Sequence, residues 1–323
     1  MDLLARRLLF VTGKGGVGKT TVAAALAQLS AISGRSTLVC EMDAKGSLAA
    51  AFDHRPFDFT PRQVMPGLSG MAMNTEDSLR EYLRLFVRIP LVARIGPLAR
   101  TFDFVADAAP GVKEVLSVGK LAYEVRERHY DLVVVDAEAS GHIVGQITAP
   151  RAIAELVHVG LIREQTQWMN DLLEDPAVTG VVVVTTPEEM PVTETIELIG
   201  RLRSQTRVAL SAIVANRVLP ELFGRRDEEA FARLGEEPAR QVLRDAVGDQ
   251  VDAVLDAARL LVARRRGGAE HLERLASELA GGPPVLFVPE LFTRTTGPRA
   301  VQQVAEALAA ELDIEGGAAG VAS

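Results

Sequence analysis

Short aliphatic runs alternate along the chain with longer stretches in which apolar residues recur every three or four positions. Runs at 8–12, 36–41, 131–136, 180–186, 208–216 and 285–289 are too short for helices, which predicts buried strands. A weaker pattern at 68–74 predicts an edge strand. The longer stretches, such as residues 18–33, predict amphipathic helices. This alternation predicts an α/β fold with a mostly parallel central sheet flanked by helices.

Two intervals are too long to be simple connections between neighbouring parallel strands. Residues 51–130 carry the edge-strand pattern and helical patterns at 77–86 and 112–128, and residues 217–282 carry charged helical patterns at 227–234, 240–264 and 270–280. We therefore predict a single domain over residues 1–315 with helical elaborations at about 75–130 and 217–282. The segment 143–178 has room for one long helix, and the Gly- and Ala-rich tail at 316–323 is expected to be flexible.

Composition narrows the classes of function. The chain has 323 residues, of which 48% are hydrophobic and 24% charged, and a net charge of −8, which opposes binding to nucleic acid. The single cysteine, Cys40, excludes an internal disulfide, a Cys-x-x-Cys zinc site and an iron–sulfur cluster formed by this chain alone. No stretch approaches the ~20 apolar residues of a membrane span. We expect a cytoplasmic protein that binds neither nucleic acid nor zinc.

The strongest motif lies between the first predicted strand and the first predicted helix. Residues 13–20 fit the phosphate-binding pattern G-x-x-x-x-G-K-[ST] in both sequence and context. Glycines in such a loop let backbone N–H groups surround phosphates, while Lys19 reaches the β- and γ-phosphates and Thr20 ligates Mg²⁺. The motif predicts a nucleotide and Mg²⁺ as ligands, and the family resemblance described next implies that the nucleotide is ATP. The predicted nucleotide contacts are Gly13, Lys14, Gly15, Gly16, Val17, Gly18, Lys19, Thr20 and Thr21.

The lysine directly after the first glycine gives the loop a family resemblance. Gly-Lys-Gly-Gly-Val-Gly-Lys-Thr resembles the loop of the deviant-Walker class of dimeric nucleotidases, which includes the arsenical-pump ATPase ArsA, the tail-anchored-protein targeting ATPase, MinD, ParA and the nitrogenase iron protein. The resemblance implies that Lys14 reaches across a dimer interface to the partner's nucleotide. Without the resemblance, a second loop lysine would only add positive charge near the phosphates.

Two carboxylates follow predicted strands. Asp136 ends a buried strand, where α/β proteins bind ligands, and its expected role is to hold Mg²⁺ through water. The segment 137–142 resembles the switch II loop of the same class, although Ala137, Glu138 and Ala139 depart from its pattern. His142 is equally compatible with a capping or packing role and with a catalytic role.

The segment 43–48 resembles switch I of the class. The resemblance aligns Asp43 with the carboxylate that positions the attacking water. The alternative is a purely structural role, in which Asp43 caps the helix that begins close after it. Because the three residues after Asp43 differ from the family pattern, slow or partner-dependent hydrolysis is expected.

The residues predicted to contact the base lie in the C-terminal half of the chain. Asn216 ends a strand in a segment that resembles Val-Asn-Arg-Val-Leu-Pro of the family, which implies a hydrogen bond to adenine; the alternative is a simple turn-forming residue. Pro289 and Leu291 lie where the family's adenine-covering loop falls. Matches from residue 8 to about 292 select the ArsA and tail-anchored-targeting branch, closest to the actinobacterial ArsA-like paired subunits.

Three functions are compatible with this resemblance. The first is a dimeric Mg-ATPase of the ArsA type that switches conformation and engages a membrane-associated or protein partner. The second is the regulatory subunit of a heterodimer with a paralogous ArsA-like chain, suggested by the changed residues at 44, 45, 138 and 139. The third is a positioning ATPase like ParA or MinD. Arsenite is not expected as a ligand, because its family site uses several cysteines, and 143–178 is too short for the Met-rich client-binding subdomain.

Overall fold

The computed structural model describes residues 3–43, 45–87, 111–156, 159–221, 223–248, 250–279, 281–292 and 296–314. The predicted tail at 316–323 lies outside the described residues, as does part of the 75–130 interval. The strands are β1 (Leu8–Gly13), β2 (Thr37–Glu41), β3 (Arg62–Met65), β4 (Leu68–Ala72), β5 (Leu132–Asp136), β6 (Thr179–Thr185), β7 (Leu210–Val218) and β8 (Val285–Pro289).

The helices of the described residues alternate with these strands. They are α1 (Lys19–Ile32), α2 (Ser47–Ala51), α3 (Thr75–Tyr82), α4 (Val112–Arg126), α5 (Ile143–Leu156), α6 (Leu161–Glu174), α7 (Glu189–Gln205), α8 (Arg225–Leu234), α9 (Ala239–Val247), α10 (Gln250–Glu278) and α11 (Pro298–Glu311). A π-helical turn at Leu83–Val87 continues α3.

All eight strands join one sheet in the order β3-β4-β2-β5-β1-β6-β7-β8. Every neighbouring pair is parallel except β3 and β4, which form an antiparallel hairpin at the edge. The carboxyl ends of β1, β2, β5, β6, β7 and β8 therefore all lie at the same end of the strands, and this is the side of the sheet on which α/β proteins bind ligands. This confirms the predicted α/β class and its mostly parallel sheet.

Helices cover both faces of the sheet, as continuous apolar strands require. Strand β5 shows the reason most clearly: Leu132 and Val134 face one hydrophobic core, and Val133 and Val135 face the other. The first core is closed by α1, α2 and α11. The second core is closed by α4, α5, α6, α7 and the end of α10. Every residue of β5 is buried, so the strand has no polar face.

The predicted strands are all present, but three details differ from the prediction. Strand β3 was not predicted, because its half-exposed residues lack an aliphatic run, and it takes the edge position that the prediction gave to the segment 68–74, which forms the second strand, β4. The segment 143–178 forms two helices, α5 and α6, instead of one, with Gly160 at a positive φ of 86° where α6 begins. The patterns at 240–264 and 270–280 were wrongly divided, because α10 continues through Gly267 and Gly268 to residue 278. The single-domain assignment stays a prediction.

One glycine in the phosphate-binding motif is required by packing. A Cβ at Gly13 would lie 2.1 Å from the carbonyl oxygen of Val184 in β6, a backbone atom that cannot move aside easily. We expect Gly13→Ala to lower the free energy of unfolding by about 1–3 kcal/mol, as overpacking does. Chemical denaturation without nucleotide measures this change. The control is Gly15→Ala, since a Cβ there meets no atom within 4 Å, and equal losses in both variants would contradict the packing argument.

Candidate functional site

The loop between β1 and α1 is built to receive an anion. Gly16 and Gly18 adopt positive φ angles of 86° and 95°, which side chains disfavour, and they turn the chain from the strand into the helix. Gly18 is the N-cap of α1, and having no side chain it leaves the first N–H groups of the helix uncapped. These donors and the positive end of the helix dipole point to a phosphate group.

Thr20 and Asp136 lie together beside this loop. The Thr20 hydroxyl donates a 2.7 Å hydrogen bond to Oδ2 of Asp136, at the end of β5. The other carboxylate oxygen, Oδ1, is buried and has no hydrogen-bond partner among the described residues. Desolvation raises the pKa of Asp136 to about 6, against the opposing effects of Thr20 and Lys19. A half-buried hydroxyl beside a carboxylate with a free oxygen fits a hard cation such as Mg²⁺.

The two lysines of the loop occupy different places. The Lys19 ammonium donates a 3.1 Å hydrogen bond to the backbone oxygen of Lys14, inside the loop, and burial lowers its pKa. The Lys14 ammonium lies 2.5 Å from Oε1 of Glu194 in α7, and both side chains are about one-third exposed. Lys19 is therefore in place for a phosphate of its own chain, whereas Lys14 is held by an own-chain carboxylate at the surface.

Asp43 does not cap α2, so the alternative that the sequence left open is wrong. The cap is Glu41, a buried residue whose carboxylate accepts hydrogen bonds from the N–H groups of Gly46, Ser47 and Leu48 at 3.1, 2.8 and 3.3 Å. Asp43 instead forms an ion pair with Lys45 at the surface. The sequence analysis missed Glu41; a buried acid at the end of an aliphatic run was the available signal.

The loop after β5 is hydrogen-bonded to the last residues of β1, where the phosphate loop begins. The Thr12 hydroxyl donates to the carbonyl of Glu138 at 3.0 Å, and the N–H of Ser140 donates to the carbonyl of Gly13 at 3.1 Å. His142 is exposed, and its Nδ1 lies 3.7 Å from the carboxylate of Glu138. His142 is thus outside the packed core, which removes the packing role considered for it, whereas its position directly before α5, with its carbonyl accepting a 3.0 Å hydrogen bond from the N–H of Gln146, agrees with the capping role.

Asn216 lies where β7 meets the phosphate loop. Its side-chain amide donates a 2.8 Å hydrogen bond to the carbonyl of Val17, and its Oδ1 accepts a 3.0 Å bond from the N–H of Arg217. A Cβ at Gly18 would lie 2.3 Å from the Asn216 nitrogen, so the motif glycine and the amide require each other. The amide is 7% exposed and joins the loop to the wall of the adjoining cleft.

A cleft of about 1020 Å³ opens beside this amide. It is lined by six of the predicted nucleotide contacts, Gly18, Thr20, Thr21, Asn216, Pro289 and Leu291. The structure therefore brings together residues that are up to 273 positions apart, between Gly18 and Leu291. Other lining residues were not predicted from the sequence, namely Ser47, Asp53, Arg217 and the first turns of α11 from Pro298 to Val304. The cleft has the size of a small-molecule site.

The described residues also bear on metal binding and membrane insertion. They contain no group of three or more His, Cys, Asp or Glu side chains arranged to hold a metal ion. None of their helices combines the length and the apolar character needed to cross a bilayer. The apolar side of α11 packs into the core through Val301, Val304 and Leu308, so it is not available to a lipid surface.

Comparisons with known proteins identify relatives of this chain. The model of the family described as "Anion-transporting ATPase" matches residues 6–162 and 155–280. "ATPase BagA" of Mycobacterium tuberculosis is 32% identical over 225 residues, which cover 66% of this chain and 66% of that protein. The chain thus spans just under two thirds of the length of this relative. "ATPase ASNA1 homolog" of Babesia bovis is 25% identical over 273 residues, covering 72% of each chain.

The matched ranges contain the phosphate loop, Asp43, Asp136, Glu194 and Asn216. They also confirm the resemblance that the loop sequence suggested, including the similarity to an actinobacterial ATPase. Since the family model covers most of the chain, the chain belongs to the ArsA-type family of anion-transporting ATPases.

Proposed function

We propose that this protein is a Mg-dependent dimeric ATPase of the ArsA type, which uses ATP binding and hydrolysis to change conformation and engage a membrane-associated or protein partner. The observation that carries the proposal is the group at the start of α1. There an uncapped helix terminus, the Lys19 ammonium and a Thr20–Asp136 pair, whose Oδ1 has no partner among the described residues, lie on one loop and the neighbouring strand end, and Gly18 and Thr20 also line the cleft. This group suits a triphosphate and its metal ion.

Each residue has a defined task in this proposal. The loop N–H groups and Lys19 hold the phosphates, and Asn216, Pro289 and Leu291 hold the base. Thr20 and Asp136 would hold Mg²⁺, Thr20 as a direct ligand and Asp136 through water. The ion would neutralise charge on the β- and γ-phosphates. Asp43 orients the attacking water, once it separates from Lys45, and Lys14 of the partner subunit stabilises the charge on the transferred phosphoryl group.

A concentration series of the purified chain tests self-sufficiency. If two chains complete one site, ATP turnover per chain rises with protein concentration and then reaches a plateau, and it is lost when Mg²⁺ is removed with a chelator. Sedimentation with ATP and the Asp43→Asn variant measures the dimer directly. Turnover that is independent of concentration, with one chain per particle, would overturn the dimer.

Conformational switching needs its own measurement. Small-angle X-ray scattering of Asp43→Asn with and without ATP is expected to show a change in the radius of gyration. An identical scattering curve in both states would overturn the switch while leaving the ATPase itself intact.

One observation favours a second function, the regulatory subunit of a heterodimer with a paralogous chain. Both residues proposed for the chemistry at the dimer interface are engaged by their own chain, Lys14 by Glu194 and Asp43 by Lys45. In this case the purified chain binds ATP but has negligible turnover at every concentration. Isolation from its native cells would then recover a second ArsA-like chain in equal amount.

The proposed contact between the Asn216 amide and the base predicts a moderate change in nucleotide affinity. We expect Asn216→Ala to weaken ADP binding about tenfold, because a hydrogen-bonding amide is lost from a buried position. Isothermal titration calorimetry measures the affinity. Asn170→Ala, in α6 and outside the cleft lining, is the matched control and should bind ADP like the wild type. Unchanged affinity in Asn216→Ala would show that this amide serves only the loop.

A further inference from the structure

A second cavity lies between helices α3, α4, α5 and α6, and it shares no lining residue with the nucleotide cleft. Its volume is about 310 Å³. The lining is mainly apolar and includes Leu79, Val115, Leu116, Ile153 and Met169. A mostly apolar cavity of this size with few polar groups is typical of a site for a small ligand.

One polar side chain in this lining is left without a partner. Gln165 of α6 is 95% buried, at 5% exposure, and neither its Oε1 nor its Nε2 has a hydrogen-bond partner among the described residues. Neighbouring hydroxyls are satisfied: Ser78 donates to the carbonyl of Asn74 at 2.7 Å, and Thr166 donates to that of Ile162 at 2.9 Å. A buried amide with two unmet hydrogen bonds is costly, so it requires a partner that enters the cavity.

The charges at the cavity wall restrict the partner. Lys120 is buried, and its ammonium lies 2.8 Å from Glu81 and 2.6 Å from Glu124. Glu124 in turn accepts a 2.7 Å contact from His129. The lysine is therefore neutralised by two carboxylates and offers no free positive charge. An anionic ligand would meet an excess of negative charge, and an uncharged ligand would not.

We propose that this cavity binds a small uncharged amphiphile, with an apolar chain among α3, α4 and α6 and a carboxamide-like group paired with Gln165. The ligand group donates to Oε1 and accepts from Nε2, so both unmet hydrogen bonds are made. At about 30 Å³ per non-hydrogen atom, the volume of a water molecule in the liquid, the cavity holds about ten such atoms. Octanamide has this size and this chemistry.

Calorimetric titration of the full, nucleotide-free chain with octanamide tests the proposal. We expect saturable binding of one molecule per chain. Gln165→Leu should weaken it about tenfold, because the ligand amide then loses its partner in a buried position. The matched control is Gln167→Leu, two residues along α6, since Gln167 is exposed and bonded to Asp171 at 3.0 Å. This control should bind like the wild type.

A blocking variant keeps the test decisive. Val115→Phe adds a ring to the cavity wall and is expected to abolish octanamide binding, with folding verified by a cooperative thermal transition and retained ADP binding. Absence of saturable octanamide binding to the wild type would overturn the proposal. Binding that neither Gln165→Leu nor Val115→Phe changes would also overturn it, because the site would lie elsewhere. Since no nucleotide is present, neither result bears on the proposed ATPase.

Discussion

Lys14→Ala is expected to lower maximal ATP turnover about a thousandfold while ATP still binds. In the proposed dimer this lysine acts on the nucleotide of the partner subunit, as an arginine finger does, so its loss removes transition-state stabilisation and not ground-state contacts. In the isolated chain its ammonium contacts Glu194 and not the loop's own phosphate position. Steady-state phosphate release at saturating ATP, with calorimetric ATP affinity measured beside it, checks both parts.

Two variants separate this role from a simple loss of charge. Arg207→Ala removes a cation paired with Glu174 at 3.5 Å, ahead of β7, and should leave turnover unchanged. Glu194→Gln removes the own-chain partner of Lys14 and should retain at least wild-type turnover. If Glu194→Gln loses as much activity as Lys14→Ala, the own-chain ion pair is itself the active arrangement and the cross-subunit role is wrong.

Asp136→Asn is expected to decrease Mg-dependent turnover about 10–100-fold and at the same time to stabilise the nucleotide-free fold. Turnover falls because an amide holds metal-bound water less well than a carboxylate. Stability rises because ionising a carboxyl whose pKa is raised from 3.8 to about 6 costs the folded protein up to about 3 kcal/mol at neutral pH. Phosphate release and chemical denaturation measure the two effects.

The difference in stability between the wild type and Asp136→Asn changes with pH in a defined direction. The unfolded chain ionises this carboxyl near 3.8 and the folded chain near 6, so the wild type loses stability relative to Asp136→Asn as the pH rises between these values. Above about 6 the difference is constant. Asp131→Asn, at the opposite end of the same strand, is the control and should not reproduce this pH profile. A variant advantage that shrinks as the pH rises would contradict the assignment.

Much of the fold could be predicted because its signals are local. The aliphatic runs that became β2, β5 and β6 are buried on both faces, so no partner element is needed to recognise them. Strand β3 could not be predicted, since its residues Arg62 and Gln63 are exposed and its pairing depends on the hairpin with β4. The break between α5 and α6 depends on a glycine turn that helical periodicity does not reveal.

The residues of the site likewise divide into those that a local sequence pattern marks and those that it does not. Lys19, Thr20 and Asp136 were predictable because a loop and a strand end have fixed geometry. The own-chain partners of Lys14 and Asp43 were not, because Glu194 is 180 residues from Lys14 and no pattern marks the contact. The α11 wall of the cleft was missed for the same reason. Gln165 belongs to no sequence motif, and it is distinguished by its burial without a hydrogen-bond partner in the described part of the chain.

The capping carboxylate of Glu41 has a mechanical consequence for Asp43. Glu41 is part of the sheet, and its three hydrogen bonds fix the start of α2, so Asp43 belongs to a short span anchored at both ends. The N–H of Met42 is also bonded to the carbonyl of Asp136 at 3.1 Å. Asp43 can therefore move toward a γ-phosphate only by rotation about a few backbone bonds, because Glu41 in the sheet and the start of α2 stay fixed.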